Sequence, residues 1–215
     1  MTGKGAFVTG TDTGVGKSFA AACLVRAWNA AYWKPVQTGL DDDPGGDSAA
    51  VARLVDRHDF TPYAPRHSFR APLSPAAAAA AEGVRIDLAD FDRPTTDGRP
   101  LVVEGAGGVL VPLTAEHLMT DLIARLALPV LVVARSTLGT INHTLLTLEA
   151  LRTRRLTVAG VILNGPPDAG NRAAIERWGA VPVVAELPLL EQEPDPAALA
   201  RLATACIPPL DSILP

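Results

Sequence analysis

Gly10-Thr11-Asp12-Thr13-Gly14-Val15-Gly16-Lys17-Ser18 joins the apolar run Ala6-Phe7-Val8-Thr9, a predicted strand, to a helical pattern extending from Lys17 to Ala31. Glycines let such a turn curl so that successive N–H groups point at one anion, and the helix N-terminus adds partial positive charge. In a loop of this kind the lysine reaches the β- and γ-phosphates of a nucleotide, and the hydroxyl after it ligates Mg2+. Lys17 and Ser18 stand at those two positions. The strict motif puts its first glycine five residues before the second. Here that residue is Thr11, and the glycine comes one earlier, at Gly10. A glycine-rich turn with an incidental Lys-Ser is the plainer alternative, and the strand before and helix after favour the phosphate loop.

Outward from this loop, apolar runs alternate with helical patterns, the mark of an α/β protein with a parallel sheet. Leu101-Val102-Val103-Glu104, Val130-Leu131-Val132-Val133 and Val158 to Leu163 are continuous rather than alternating, as strands buried on both faces are. Val181-Pro182-Val183-Val184 is a weaker strand, with proline near its start or on an edge. Helices are predicted over Asp47 to Asp56, Thr140 to Thr153, Asn171 to Trp178 and Pro196 to Ala205. A short one over Ala76 to Ala81 is capped by Gly83. Leu40 to Gly46 reads as an acidic surface loop, and Phe60 to Pro75, with its four prolines, as an extended excursion. The expected fold is a single P-loop NTPase-like domain over residues 1–215, a mostly parallel sheet with helices on both faces.

Composition narrows the function. The 215 residues are 48% apolar and 20% charged, which suits a globular domain and not a disordered chain. A net charge of −4 offers no basic surface for nucleic acid or an anionic membrane. No apolar run approaches the ~20 residues of a membrane helix, and MTGKGAFVTG is too short in apolar residues for a signal peptide. Cys23 and Cys206 lie in apolar helical contexts, which points to core packing in a reducing, cytoplasmic compartment.

A Mg2+-nucleotide site needs oxygen ligands. Glu104 ends a predicted buried strand and opens Glu-Gly-Ala-Gly-Gly, so its carboxylate faces the crevice where parallel sheets bind ligands. A surface acid at a strand end is the plainer alternative. On residue type alone Asp47 reads first as a helix N-cap, and Lys34, in Lys34-Pro35-Val36-Gln37-Thr38-Gly39, as a solvated strand end. His58, His67, His117 and His143 have no metal-ligand spacing, and no G-x-S-x-G nucleophile signature is present.

Taken in order, GTDTGVGKS, KPVQTG, VEGAGGVLVPL, LGTINHTLLTLEAL and VILN resemble the dethiobiotin synthetase family from Phe7 to about Glu191. The resemblance implies a homodimer with active sites at the subunit interface. It also implies an ATP- and Mg2+-dependent reaction of 7,8-diaminopelargonate with CO2 or bicarbonate. It assigns catalysis to Lys17 and Lys34, and the metal to Ser18, Asp47 and Glu104, displacing the cap reading of Asp47. ATP would contact Gly14, Val15, Gly16, Lys17, Ser18, Asp47, Glu104, Gly105, Ala106, Gly107 and Gly165. Asn164 would recognise the purine, flanked by Pro188, Leu189 and Leu190. The substrate would meet Thr13, Lys34 and Thr38, and Asn142 would reach the substrate of the neighbouring subunit. The chain departs from the family in shorter stretches before Lys34 and between Gly83 and Leu101, and in Ala76, where a histidine is common.

Three rival readings share the loop. Partitioning-type regulatory ATPases carry a lysine where this chain has Asp12. Cobyrinate-type amide ligases need a second, glutaminase domain with a nucleophilic cysteine. A small-molecule kinase would release a phosphate ester rather than free phosphate.

Overall fold

The computed structural model describes residues 4–214. Strands and helices alternate through its first half as β1 (Gly5–Gly10), α1 (Lys17–Trp28), β2 (Ala31–Trp33), β3 (Val36–Gln37), α2 (Gly46–Val55), β4 (His67–Ser68) and α3 (Pro75–Ala81). The second half holds β5 (Leu101–Gly108), α4 (Met119–Leu126), β6 (Val130–Arg135), α5 (Thr140–Thr153), β7 (Val158–Asn164), α6 (Ala169–Gly179), β8 (Val183–Leu187), α7 (Pro196–Cys206) and α8 (Leu210–Ile213). Six strands form one sheet in the order β2-β5-β1-β6-β7-β8, every pair parallel.

Parallel neighbours need crossovers, so helices cover both faces and the central strands β1 and β6 are almost wholly buried. The period-2 alternation divides each apolar run between two cores. Ala6, Val8, Val102, Leu131, Val133 and Ile162 face α1, α2 and α7. Phe7, Val103, Val132, Val161 and Leu163 face α3, α4, α5 and α6. This is why both kinds of residue in one strand are apolar.

Several boundaries differ from the sequence expectation for local reasons. The first helix stops at Trp28 and not Ala31, because Asn29 adopts left-handed backbone (φ 52°) and its N–H bonds to the Val25 carbonyl. Ala31 instead starts β2. The last strand begins at Val183, with Pro182 just outside it on the sheet edge. Helix α4 is absent from the expected elements, although Asp121 reaches back 2.7 Å to the Leu118 N–H and Leu122, Ile123 and Leu126 enter the core. The proline-rich excursion is partly ordered by pairing: β4 lies parallel to β3. The expected cap of α3 is present. Gly83 takes φ 65°, its N–H bonds to Ala80 O at 3.2 Å, and that of Val84 bonds to Ala79 O at 2.8 Å.

Both cysteines are free. Burial pushes the Cys23 thiol up to about 12, which leaves it a packing group, while Cys206 is only half-buried. Among the described residues no helix is long and apolar enough to cross a membrane. What the fold positions is the carboxyl end of β1. Its neighbours β5 and β6 are reached by the chain from opposite directions, and ligands bind at such a switch point.

Candidate functional site

The loop after β1 runs over residues 11–16 into α1. Gly16 holds φ 90°, which L side chains rarely adopt, and a Cβ there would drive into the Asn164 side chain. The Asn164 amide donates to Val15 O at 3.0 Å, so the end of β7 braces the loop. Asp12 organises the other side. Its Oδ1 accepts the Thr13 N–H at 2.7 Å, and its carbonyl accepts Lys17 Nζ at 3.1 Å. Burial, reinforced by repulsion from Lys34, pushes the Lys17 ammonium below its ordinary value.

Four side chains from four segments meet beside this loop. Ser18 Oγ, in the first turn of α1, lies 2.6 Å from Asp47 Oδ1 and 2.9 Å from Glu104 Oε1. Lys34 Nζ, just after β2, lies 2.7 Å from Asp47 Oδ2, 3.0 Å from Glu104 Oε1 and 3.3 Å from the Gly105 carbonyl. Lys34 is 3% exposed and Glu104 1%. Burial works against the Lys34 charge, but Glu104 and then Asp47 outweigh it and hold the ammonium above its usual range. Burial alone would raise Asp47; the Lys34 charge and hydrogen bonds from Lys34 and Ser18 instead hold its carboxyl below the usual carboxylate value.

Two of these placements overturn the plain readings of the residues. Asp47 is no N-cap, since α2 starts at Gly46 and is preceded by Gly45. Lys34 is no solvated strand end. Two further groups, invisible to motif reading, hold the acids in place. Gln37 Oε1 accepts the Asp47 N–H at 3.0 Å, and the buried Tyr32 hydroxyl donates to Glu104 Oε2 at 2.9 Å. Burial first, and then the Glu104 and Asp47 charges, push the Tyr32 phenol well above its usual value.

The donor set suits a hard divalent cation. Hydroxyl and carboxylate oxygens converge here, and among the described residues no three His, Cys, Asp or Glu cluster as a closed metal cage. Mg2+ is held in that way, by one or two carboxylates plus phosphate and water.

A cavity of about 600 Å³ opens on this cluster. Thr13, Thr38, Ala106 and Gly107 line it, as does the Pro72-Leu73-Ser74-Pro75 end of the excursion, which sequence reasoning did not place at the site. A second cavity of about 360 Å³ lies beyond Ser18, between Phe19, Asn164 and the expected Pro188-Leu189-Leu190 segment. Asn142 is not brought in: it is exposed on the first turn of α5 and does not line the cavity of its own chain. A third cavity, about 520 Å³, adjoins the first at Thr13 and Val111 and is lined on its other side by His143, Leu146 and Thr147 of α5.

Known proteins resemble this chain in sequence and in fold. A family model described as an AAA domain (AAA_26) matches residues 4–196. The chain is 52% identical, over 98% of its length, to the "Biotin biosynthesis bifunctional protein BioCD" of Bordetella avium, and it spans 44% of that protein. It is 51% identical over 96% of its length to the "ATP-dependent dethiobiotin synthetase BioD" of Paramagnetospirillum magneticum, covering 96% of that protein. Among solved structures, an ADP-bound nucleotide-binding protein from Archaeoglobus fulgidus superposes with a TM-score of 0.51, over 100% of this chain and 93% of that one. At 13% identity that likeness concerns the fold alone.

Proposed function

The chain belongs to the ATP-dependent dethiobiotin synthetase family, and from that premise we propose that it converts 7,8-diaminopelargonate, CO2 and ATP into dethiobiotin, ADP and phosphate. In this reading residues 1–215 act as one ATP-binding synthetase domain, in the cytoplasm and as a homodimer. CO2 adds to one amine of the substrate as a carbamate. A carbamate is a poor acylating group, because closing the urea would expel oxide. Its oxygen therefore attacks the γ-phosphorus of ATP, the bond to the ADP oxygen breaks, and a carbamic–phosphoric anhydride results. The second amine then attacks the carbamoyl carbon, loses a proton and expels phosphate, closing the ureido ring.

Phosphoryl transfer of this kind is mostly positioning and charge neutralisation. The loop over Gly14, Val15 and Gly16 offers N–H groups to the phosphates, and Lys17 leaves Asp12 O to reach the β- and γ-oxygens. Ser18, Asp47 and Glu104 would hold Mg2+, which when bound offsets charge on the phosphate oxygens. Lys34 presents a permanently charged ammonium to the carbamate and transferring phosphoryl oxygens. Gly105, Ala106 and Gly107, at the strand end, let the phosphates of ATP approach closely, and Thr13 and Thr38 line the substrate side. Asn164, Gly165 and Pro188 to Leu190 flank the base. Asn142, exposed and not lining the cavity of its own chain, serves the neighbouring subunit.

The observation that carries the reading is Lys34, a buried cation between two acids on the rim of a cavity that the phosphate loop also borders. Phosphate release from ATP, measured with and without diaminopelargonate and bicarbonate, tests it. Release should require both, and release independent of both would sink the synthetase reading.

A further inference from the structure

We infer that Tyr32 is a positioning residue for the cation site, one half of a two-point grip that β2 and the residue following it exert on Glu104. The inference rests on the metal-site reading above and adds a residue to it.

The grip follows from strand register. Tyr32 pairs with Val102 and Trp33 with Val103 in the parallel β2–β5 ladder. Side chains alternate along a strand, so Tyr32 and Val102 share one face of the sheet and Trp33 and Val103 the other. The two cores bear this out: Tyr32 and Val102 belong to one, Trp33 and Val103 to the other. Glu104, two residues after Val102, returns to the face of Tyr32, and so does Lys34, two residues after Tyr32. The spacing Tyr32-x-Lys34 thus sets two donors against one carboxylate. Lys34 Nζ takes Oε1 at 3.0 Å, and the Tyr32 hydroxyl takes Oε2 at 2.9 Å.

Packing alone does not explain the hydroxyl. Tyr32 is fully buried, and phenylalanine would fill the same space among the same aliphatic neighbours. A buried hydroxyl is costly unless it is bonded, and the partner this one finds is Glu104 Oε2. A carboxylate only accepts, so the phenol must donate. Glu104 is itself almost without solvent contact. Removing the hydroxyl would leave Oε2 buried with no donor, free to rotate toward Lys34 and Ser18 and to take Oε1 out of line. With the hydroxyl in place, Oε2 is occupied on the closed side and Oε1 faces Ser18 and the cavity. That is the orientation a ligand oxygen needs, and outer-shell partners of ligating carboxylates commonly govern metal affinity in this way.

The test uses Mn2+ as the probe, titrated by electron paramagnetic resonance into the full chain saturated with ADP. Tyr32→Phe should weaken Mn2+ about 10- to 100-fold while leaving metal-free ADP binding unchanged. In a Glu104→Gln background the same substitution should have no further effect on Mn2+. Wild-type Mn2+ affinity in a folded Tyr32→Phe protein, or an undiminished loss in the Glu104→Gln background, would overturn the inference. Absence of Mn2+ binding in the wild type would remove the metal site itself, and this inference with it. Should Tyr32→Phe not fold, the two tyrosines of the chain permit a second measurement. With 3-fluorotyrosine incorporated and Tyr63→Phe used for assignment, the Tyr32 fluorine resonance should move when Mg2+ joins the ADP complex while that of Tyr63 stays. A stationary Tyr32 resonance overturns the proposal.

Discussion

Replacing Lys34 with methionine keeps an unbranched apolar stem of similar reach and removes the ammonium. It leaves Asp47 and Glu104 facing each other across Ser18 without the cation that now lies 2.7 and 3.0 Å from them. Removing one partner of a buried ion pair costs about 3–5 kcal/mol, because the remaining charge stays buried. Glu104 is sealed, but the Asp47 side chain is 35% exposed and water takes up part of its charge. The lower end, about 3 kcal/mol, therefore applies. For a chain of this size each kcal/mol moves the midpoint by about 2–4 °C, so Tm should fall by about 6–12 °C in a metal-free melt. Adding Mg2+ with ADP should return part of that loss in the variant, since a cation between the same carboxylates replaces the missing charge. In steady-state assays kcat should drop by about 10²–10³, the usual consequence of losing one charge-assisted contact to a developing anion. The KM for ATP should change little. A variant with both the melting temperature and the kcat of the wild type would refute the reasoning, because Lys34 would then neutralise nothing.

Three further outcomes are expected. Gly16→Ala should abolish nucleotide binding measured by calorimetry while the sheet remains folded by circular dichroism, since the new Cβ strikes the Asn164 side chain and the φ of 90° is unsuited to alanine. Asp47 has its folded-state pKa depressed below 3.8, so it contributes stability above that pH and loses it as pH falls below. The fall in Tm through acid pH should accordingly be shallower in Asp47→Asn than in the wild type. On the proposed homodimer with sites shared between subunits, Lys17→Ala and Asn142→Ala should each be poor enzymes, but mixing them should restore activity once subunits exchange, because one site of the mixed dimer then carries neither defect. No recovery despite exchange shown by native mass spectrometry would place Asn142 within its own subunit's chemistry.

Much of the site was legible because its parts are local patterns. Glycine spacing, a strand before and a helix after identify the loop at residues 10–18, and an acid at the end of an all-apolar run singles out Glu104. Other residues were ambiguous for an equally physical reason. Asp47 at the start of a helix and Lys34 at the end of a strand have common structural explanations, and nothing within a few residues of either one excludes them. Gln37 stood in a quoted segment without a role, because its part is to accept a backbone N–H ten residues away. The excursion Phe60 to Pro75 showed only its prolines, yet its last four residues wall the cavity.

By itself the amino-acid sequence determined the α/β alternation, the two-faced burial of the central strands, the phosphate loop and the cap of α3. Each depends on side-chain period or backbone preference over a few residues, which a linear reading contains. Only the tertiary structure decided that Ser18 meets Asp47 across 29 residues and Glu104 across 86, and that Lys34 meets Glu104 across 70. It likewise decided that Tyr32 takes the far oxygen of that same acid. Those contacts arise because parallel pairing brings the carboxyl ends of β1, β2 and β5 to one end of the sheet, and strand register then chooses which side chains share a face. Neither the pairing nor the register is written within any one segment. The charges and hydrogen bonds that give the cluster its chemistry exist only once the sheet has formed.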